Sequence, residues 1–350
     1  MEETRGMYMI SVHPSRVNYY YEPLNRPCYH SHKTISHEET DDLPERSADS
    51  LHSVASKKPA QFQDNYHHGK ISKTAERKIN RAIDYMLYLA KPKRLPNTKS
   101  GKGLSFRLNF VTLTLSSEQI HTDHEIQYRI FHPFLVSLCR QFKIQHYLWR
   151  AERQSGGGLH YHLITDRFIP WQRLRELWNN AQQHLGYVTR YRENQLAWHS
   201  GGFRVRPELY KKWSQERQYK AWKEGCRTDW NQPNSTDVHS LILVHNVKAY
   251  FKKYMTKEGQ NSDIKGRLWG CAQALSVITG GRAAVYSKID DDLGKLEADK
   301  VVKTFKTDYY TTIFVTPEYL LKIGCTEILS VFNQYLSEKF PNYRPPTLFP

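Results

Sequence analysis

Two apolar rhythms alternate along the chain, and the switches between them mark the predicted elements. Residues 1–72 sustain no apolar period and are rich in Ser, His, Asp, Glu, Pro and Tyr. That predicts a loosely structured tail, with HEETDDLPE a solvated acidic loop. Over 73–90, Ile79, Ile83, Met86, Leu87 and Ala90 share one helical face, with Arg77, Lys78 and Arg81 opposite. Pro92 and Pro96 end that helix, and KPKRLPNTKSGKG continues as a basic linker. LSFRLNFVTLTL at 104–115 is apolar and β-branched enough for a central strand. Helical spacing returns over 123–142 through Ile126, Ile130, Phe134, Leu135, Leu138 and Phe142.

Residues 145–165, QHYLWRAERQSGGGLHYHLIT, read as two strands reversed at a glycine-rich turn. Side chains alternate in a strand, so His160 and His162 share a face and Tyr161 takes the other. Glu152 has the same parity as His146, Leu148 and Arg150 and can meet the histidine pair across the hairpin. Pro170 opens a helix that Gly186 closes, and 187–198 alternates like a strand. Residues 200–225 read as a loop plus a charged helix in which Tyr210, Trp213, Tyr219 and Trp222 interleave with Lys and Arg. That mix suits base stacking with phosphate contact, and equally a helix packed by its aromatic side. A closing strand is expected at 238–244.

The stretch 246–257, NVKAYFKKYMTK, is an amphipathic helix with Val247, Phe251 and Met255 as its buried stripe. Tyr250, Lys253, Tyr254 and Lys257 share an adjacent stripe. Strand-like runs over 282–314 and a helix pair over 317–340 complete the chain, with NYRPPTLFP irregular. The fold class is α+β: a central antiparallel sheet covered on one side by helices, its other face free for a ligand. The expected domains are the tail 1–72, a main domain 73–280 and a C-terminal α/β extension 281–350.

Charge narrows the partners. Lys+Arg number 51 against 35 Asp+Glu, a formal net charge of +16, which calls for a polyanion or a strong solubility reason, with nucleic acid the first candidate and a membrane surface the second. No run of 18 apolar residues exists and no secretory signal opens the chain, so no membrane span is expected. The five cysteines are scattered without CxxC, which suits a reducing cytoplasm. No phosphate loop of the GxxxxGK[ST] type occurs, so no nucleotide cofactor or motor is expected.

His160, His162 and Glu152 form a candidate divalent-metal site, with His146 as a substitute for the third ligand. Against it, HxH pairs arise by chance in a chain with 17 His. Tyr250 and Tyr254 lie one turn apart, each followed three residues on by a lysine, Lys253 and Lys257. A phenol can attack a phosphodiester once its proton is lost and the phosphate polarised by a cation. A nearby lysine favours the phenolate or balances transition-state charge. The product is a phosphotyrosyl link plus a free hydroxyl, and a second tyrosine can attack next.

Three motifs in order resemble the HUH endonucleases, specifically rolling-circle replication initiators of the two-tyrosine type, such as gene A proteins of small single-stranded DNA phages. They are FVTLTLS at 110–116, GGGLHYHLI with His160 and His162, and AYFKKYMTK with Tyr250, Tyr254 and Lys257. GRLWG at 266–270 is similar to a sequence found beyond that helix in such initiators. The likeness spans 74–280. Tyr161 departs from the family, where an aliphatic residue is usual, and the family varies at the position of Glu152. The resemblance implies an RRM-like antiparallel sheet and Mg2+ or Mn2+. It also implies cutting of one strand at an origin with a 5′-phosphotyrosine, and a helicase and polymerase supplied by the host. Three other readings stay open: a two-tyrosine transposase, a non-catalytic basic DNA-binding protein, and a cupin-type zinc or iron enzyme.

Overall fold

The computed structural model describes residues 6–23, 70–90, 93–95, 104–154, 156–211, 213–239, 246–256 and 264–345. The chain divides into two compact units, one of Met1–Phe62 with Gly280–Pro350 and one of Gln63–Thr279.

It opens on a hairpin, β1 (Gly6–His13) and β2 (Arg16–Pro23), reversed at Pro14 and Ser15. The expectation of a structureless tail over 1–72 is corrected at this point. Only Ile10, Val12 and Val17 are fully buried in the hairpin, too few to register as a period, and its turn lacks the usual glycine. Residues 24–69 lie outside the described part.

The second unit starts with α1 (Lys73–Leu89), whose N-cap Ser72 accepts the Ala75 N–H at 3.1 Å. Ile79, Ile83 and Met86 are buried on the expected face, joined by Ala82 and Tyr85. Among the described residues β3 (Lys93–Leu95) pairs with β4 (Leu104–Phe106) alone, whereas β5 (Asn109–Thr114) belongs to another sheet. The single strand expected over 104–115 is therefore two, with different partners. The helix expected over 123–142 is composite: α2 (Asp123–Glu125), a π-helical turn over Ile126–Phe131, then α3 (His132–Phe142). Within the π turn the Gln127 carboxamide brackets the backbone of Arg267, donating to its carbonyl at 2.7 Å and accepting its N–H at 3.2 Å. This fastens the GRLWG segment.

β6 (Tyr147–Arg153) and β7 (Leu159–Thr165) form the expected hairpin, Gln154 N–H bonding Gly158 O at 2.9 Å around Gly157, whose φ of +85° disfavours any side chain. α4 (Trp171–Gln183) and α5 (Tyr187–Trp198) follow. The helix α5 corrects the strand expected over 187–198. Tyr187, Val188 and Tyr191 also satisfy the helical i, i+1, i+4 spacing, and the Arg190 N–H bonds Gly186 O at 2.9 Å to open the helix. Next come a 3-10 turn at Pro207–Leu209, α6 (Gln215–Arg227), β8 (Thr236–His239), α7 (Val247–Thr256), β9 (Trp269–Cys271) and α8 (Gln273–Ser276). Of the expected strand 238–244 and helix 246–257, residues 240–244 and Lys257 lie outside the described part.

The five strands run β8-β5-β7-β6-β9, every pair antiparallel. Val111, Leu113, Trp149, Ala151, Tyr161 and Leu163 line one face and pack with Phe131, Leu138, Leu174 and Trp178. Tyr161 is stacked on Phe131 at 4.0 Å, wholly buried. Gly270 on β9 crosses Trp149 so closely that a Cβ would sit 2.7 Å from the indole nitrogen. The second face is not open, as the sequence led one to expect. α1 packs on both β6 and α7, and α7 buries Phe251 and Met255, with Val247 half-buried.

Returning to the first unit, β10 (Gly281–Ala284), α9 (Ser287–Ala298), β11 (Lys303–Lys306), β12 (Tyr310–Phe314), α10 (Pro317–Lys322) and α11 (Thr326–Lys339) complete the chain. The sheet order is β10-β1-β2-β12-β11, so 281–350 shares a sheet with the N-terminal hairpin instead of standing as an extension. The protein is α+β with two antiparallel five-stranded sheets. Among the described residues no helix is long and apolar enough to cross a membrane.

Candidate functional site

Register assembles the site. Thr112 on β5 pairs with His162 on β7, which pairs with Arg150 on β6; Thr114, His160 and Glu152 form the next row. Paired residues share a face, so these six side chains stand together, away from the face that carries Tyr161. His160 and His162 have ring centroids 4.7 Å apart. The Glu152 carboxylate lies 3.4 Å from His162 Nε2 and 3.5 Å from Arg150 Nε.

Each histidine has a threonine at its Nδ1: Thr114 Oγ1 at 3.1 Å from His160 and Thr112 Oγ1 at 3.2 Å from His162. The Gln154 carboxamide also reaches His160 Nδ1, at 3.1 Å. At His162 a hydroxyl accepting Nδ1–H would leave the Nε2 lone pair for a cation, the usual support of a ligating histidine. At His160 the Gln154 amide nitrogen, a donor, faces the same Nδ1, so Gln154 must turn or give way for that tautomer. Two imidazoles and a carboxylate on adjacent rows suit a divalent ion in donor type. Even so, no three His, Cys, Asp or Glu side chains among the described residues are gathered as an ion would require. Glu152 instead divides its oxygens between Arg150 and His162. His146 is no substitute, since it stands at the far end of β6 against Asp166 at 3.3 Å.

The tyrosine helix α7 lies over this face. Tyr254 has its ring 5.3 Å from His162, and Tyr250 lies 4.8 Å from Tyr254, centroid to centroid. Both rings rest on Phe110, at 5.6 Å for Tyr250 and 5.4 Å for Tyr254. Burial, then the hydrogen bond to Tyr254, pushes the Tyr250 phenol up to about 12. Arg150, buried, donates to the carbonyl of Met255 at 2.9 Å, pinning the C-terminal end of α7 to the sheet. Lys253 is exposed with its ammonium 6.0 Å from the Tyr254 ring.

Sequence reasoning missed His239. It ends β8 opposite Phe110, with Nε2 2.6 Å from Thr112 Oγ1 and Nδ1 3.4 Å from the Tyr250 hydroxyl. It also missed Arg150, Thr112 and Thr114, although FVTLTLS had the parity that places both threonines on the histidine face.

Burial, followed by repulsion from His162, lowers His160 to about 4, so its imidazole is neutral at pH 7 and fit to ligate. Its folded pKa lies below the unfolded value near 6.5, so the unfolded chain binds more protons between those values. The stabilisation is complete above pH 6.5 and is lost as pH falls toward 4. In EDTA, urea melts should show stability falling across that range, with the fall smaller in His160→Asn by on the order of 3 kcal/mol, the remainder coming from His132, His199 and His239, which burial also lowers.

No family model, curated protein or solved structure matches the chain.

Proposed function

We propose that the protein is a rolling-circle replication initiator of the HUH type, nicking and rejoining single-stranded DNA through tyrosine, on an RRM-like sheet. The observation that carries the reading is the seating of Tyr250 and Tyr254 on the sheet face that bears His160 and His162. Two phenols beside two threonine-backed imidazoles and a carboxylate have no packing need for that chemistry.

The residues divide the work as follows. His160, His162 and Glu152 would hold Mg2+ or Mn2+, and two nitrogen donors favour Mn2+. When bound, the ion supplies Lewis-acid polarisation of the scissile phosphate. A tyrosine oxygen gives up its proton to solvent and attacks phosphorus, the bond to the 3′ oxygen breaks, and that oxygen takes one proton back from solvent and leaves as a 3′-hydroxyl, so the step is proton-neutral. The 5′ phosphate stays on the tyrosine. Attack by a free 3′-hydroxyl reverses the step, and the second tyrosine repeats it on another strand. Arg150 keeps α7 in place, and Lys253 contributes positive charge beside Tyr254. A helicase and polymerase would come from the host. A two-tyrosine transposase would use the same residues.

Incubating the protein with single-stranded origin oligonucleotides and Mn2+ should give an adduct that survives denaturation and that EDTA prevents. A salt-sensitive shift with no covalent species would leave a DNA-binding protein only. Tyr254, nearer His162, should take the first strand: Tyr254→Phe is expected to slow first cleavage about tenfold more than Tyr250→Phe in single-turnover assays.

A further inference from the structure

A cavity of about 360 Å³ opens in the second unit between α5, residues 199–209 with Trp213, and α6. Its walls are aromatic. His199 and Trp230 line it, their rings stacked at 5.2 Å and 7°, together with Phe203 and Trp222, whose rings lie 5.7 Å apart, and Tyr219 backs Trp222 from outside the lining at 5.5 Å and 27°. Trp230 is held there by unusual means. Asp229 and Trp230 both have left-handed backbones, φ 49° and 56°, which non-glycine residues disfavour. Arg192 grips the Asp229 carboxylate at 2.6 and 2.9 Å, and only a glycine at 225 clears the Trp230 ring.

The rim is cationic. Arg204 and Arg206 lie over the Trp198 ring at 4.5 and 4.7 Å, and neither guanidinium meets a carboxylate among the described residues. Arg175, also lining the cavity, has its Nε buried without a hydrogen bond. Glu224 is the acid at the wall, and Arg227 holds its carboxylate at 2.6 and 2.9 Å. A concave site with stacked rings inside and free guanidinium groups at its lip is fit for a planar base carrying a phosphate.

We infer that this cavity takes one unpaired base of a single-stranded DNA, its neighbouring phosphate resting on Arg204 and Arg206. The choice of DNA rests on the function proposed above; the site itself does not. Asn234 at the cavity and His239 at the tyrosine centre are five residues apart, at most about 17 Å of extended chain, so one strand of a few nucleotides can reach both.

The test is fluorescence anisotropy of the full chain with labelled single-stranded oligonucleotides. Trp222→Ala should weaken binding about tenfold and Trp222→Phe much less. Arg204→Gln with Arg206→Gln should reduce the salt dependence by one to two phosphates. In a fixed oligonucleotide, one abasic position should cost the same tenfold, and Trp222→Ala should add nothing to it. Unchanged affinity in folded Trp222→Ala overturns the proposal. If that variant does not fold, an unaltered salt slope in the arginine pair overturns it. Tighter binding of the same sequence as RNA removes the DNA assignment, and Trp222-dependent binding of dAMP or dTMP with oligonucleotides unaffected makes the cavity a mononucleotide site. Adducts are scored in parallel: Trp222-dependent binding without any adduct sinks the nicking chemistry and leaves the base site standing.

Discussion

Phenylalanine at both 250 and 254 should leave a folded protein that still binds single-stranded DNA and no longer joins itself to it. Loss of the attacking oxygen is expected to lower strand transfer by about 10⁴-fold or more. The phenols contribute little to the fold, since α7 is anchored by Phe251 and Met255 on one side and by Arg150 at its C-terminal end. Phenylalanine keeps both rings on Phe110. What goes is the hydrogen bond between the two phenols, at the surface of the site, and the hydroxyl contact of Tyr250 with His239, at 3.4 Å too long to matter much for stability. Thermal melting of the double variant should match the wild type within a few degrees while covalent labelling vanishes. A double variant that retained labelling would place the nucleophile elsewhere.

The largest stability effect is expected at Asp123, a residue that no motif singled out. Its buried carboxylate receives both terminal nitrogens of Arg153, at 2.8 and 2.7 Å, the Lys265 N–H at 3.0 Å and the Gln119 amide at 2.7 Å. Arg153 in turn donates to Gly157 O, and Gln119 accepts the Leu159 N–H, so one carboxylate ties together the hairpin turn, the start of α2 and the segment before β9. Removing it strips both carboxylate bonds from the half-buried Arg153 guanidinium, which keeps Gly157 O, and takes the acceptor from the Lys265 N–H. Asp123→Ala is expected to cost about 3–5 kcal/mol, a drop in Tm on the order of 10 °C. Arg153→Ala should cost a similar amount, and the double variant little more, because both break the same unit. A shift of under about 1 kcal/mol would mean that the network is dispensable. By lying behind the hairpin that carries His160 and His162, it should also lower labelling at temperatures where the variant begins to open.

Much of this site could be read from local pattern. The glycine turn joins two alternating runs, so the parity of Glu152, His160 and His162 followed directly, and the register pairs Glu152 with His160. The period of α7 likewise put Phe251 and Met255 inward with the tyrosines beside them. What escaped was non-local. His239 and Arg150 meet Tyr250 and α7 only after β8 and β6 take their places in the sheet. The N-terminal hairpin is stabilised by β10 and β12, strands more than 250 residues away in sequence, and its own apolar face is three residues long. The segment 187–198 alternates as well as a strand would, yet Tyr187, Val188 and Tyr191 equally fit a helical spacing, and the chain folds there as a helix. Burial of the second sheet face under α1 and α7 was invisible for the same reason, since nothing in either helix names its partner.

The most direct measurement is peptide mapping of the protein after reaction with a single-stranded oligonucleotide and Mn2+. Digestion with nuclease and protease, followed by mass spectrometry, should find a nucleotide phosphate on the 247–256 peptide, bonded to Tyr254 or Tyr250, and none when EDTA is present. A phosphate on any other residue, or none in a protein that binds the oligonucleotide, would contradict the account.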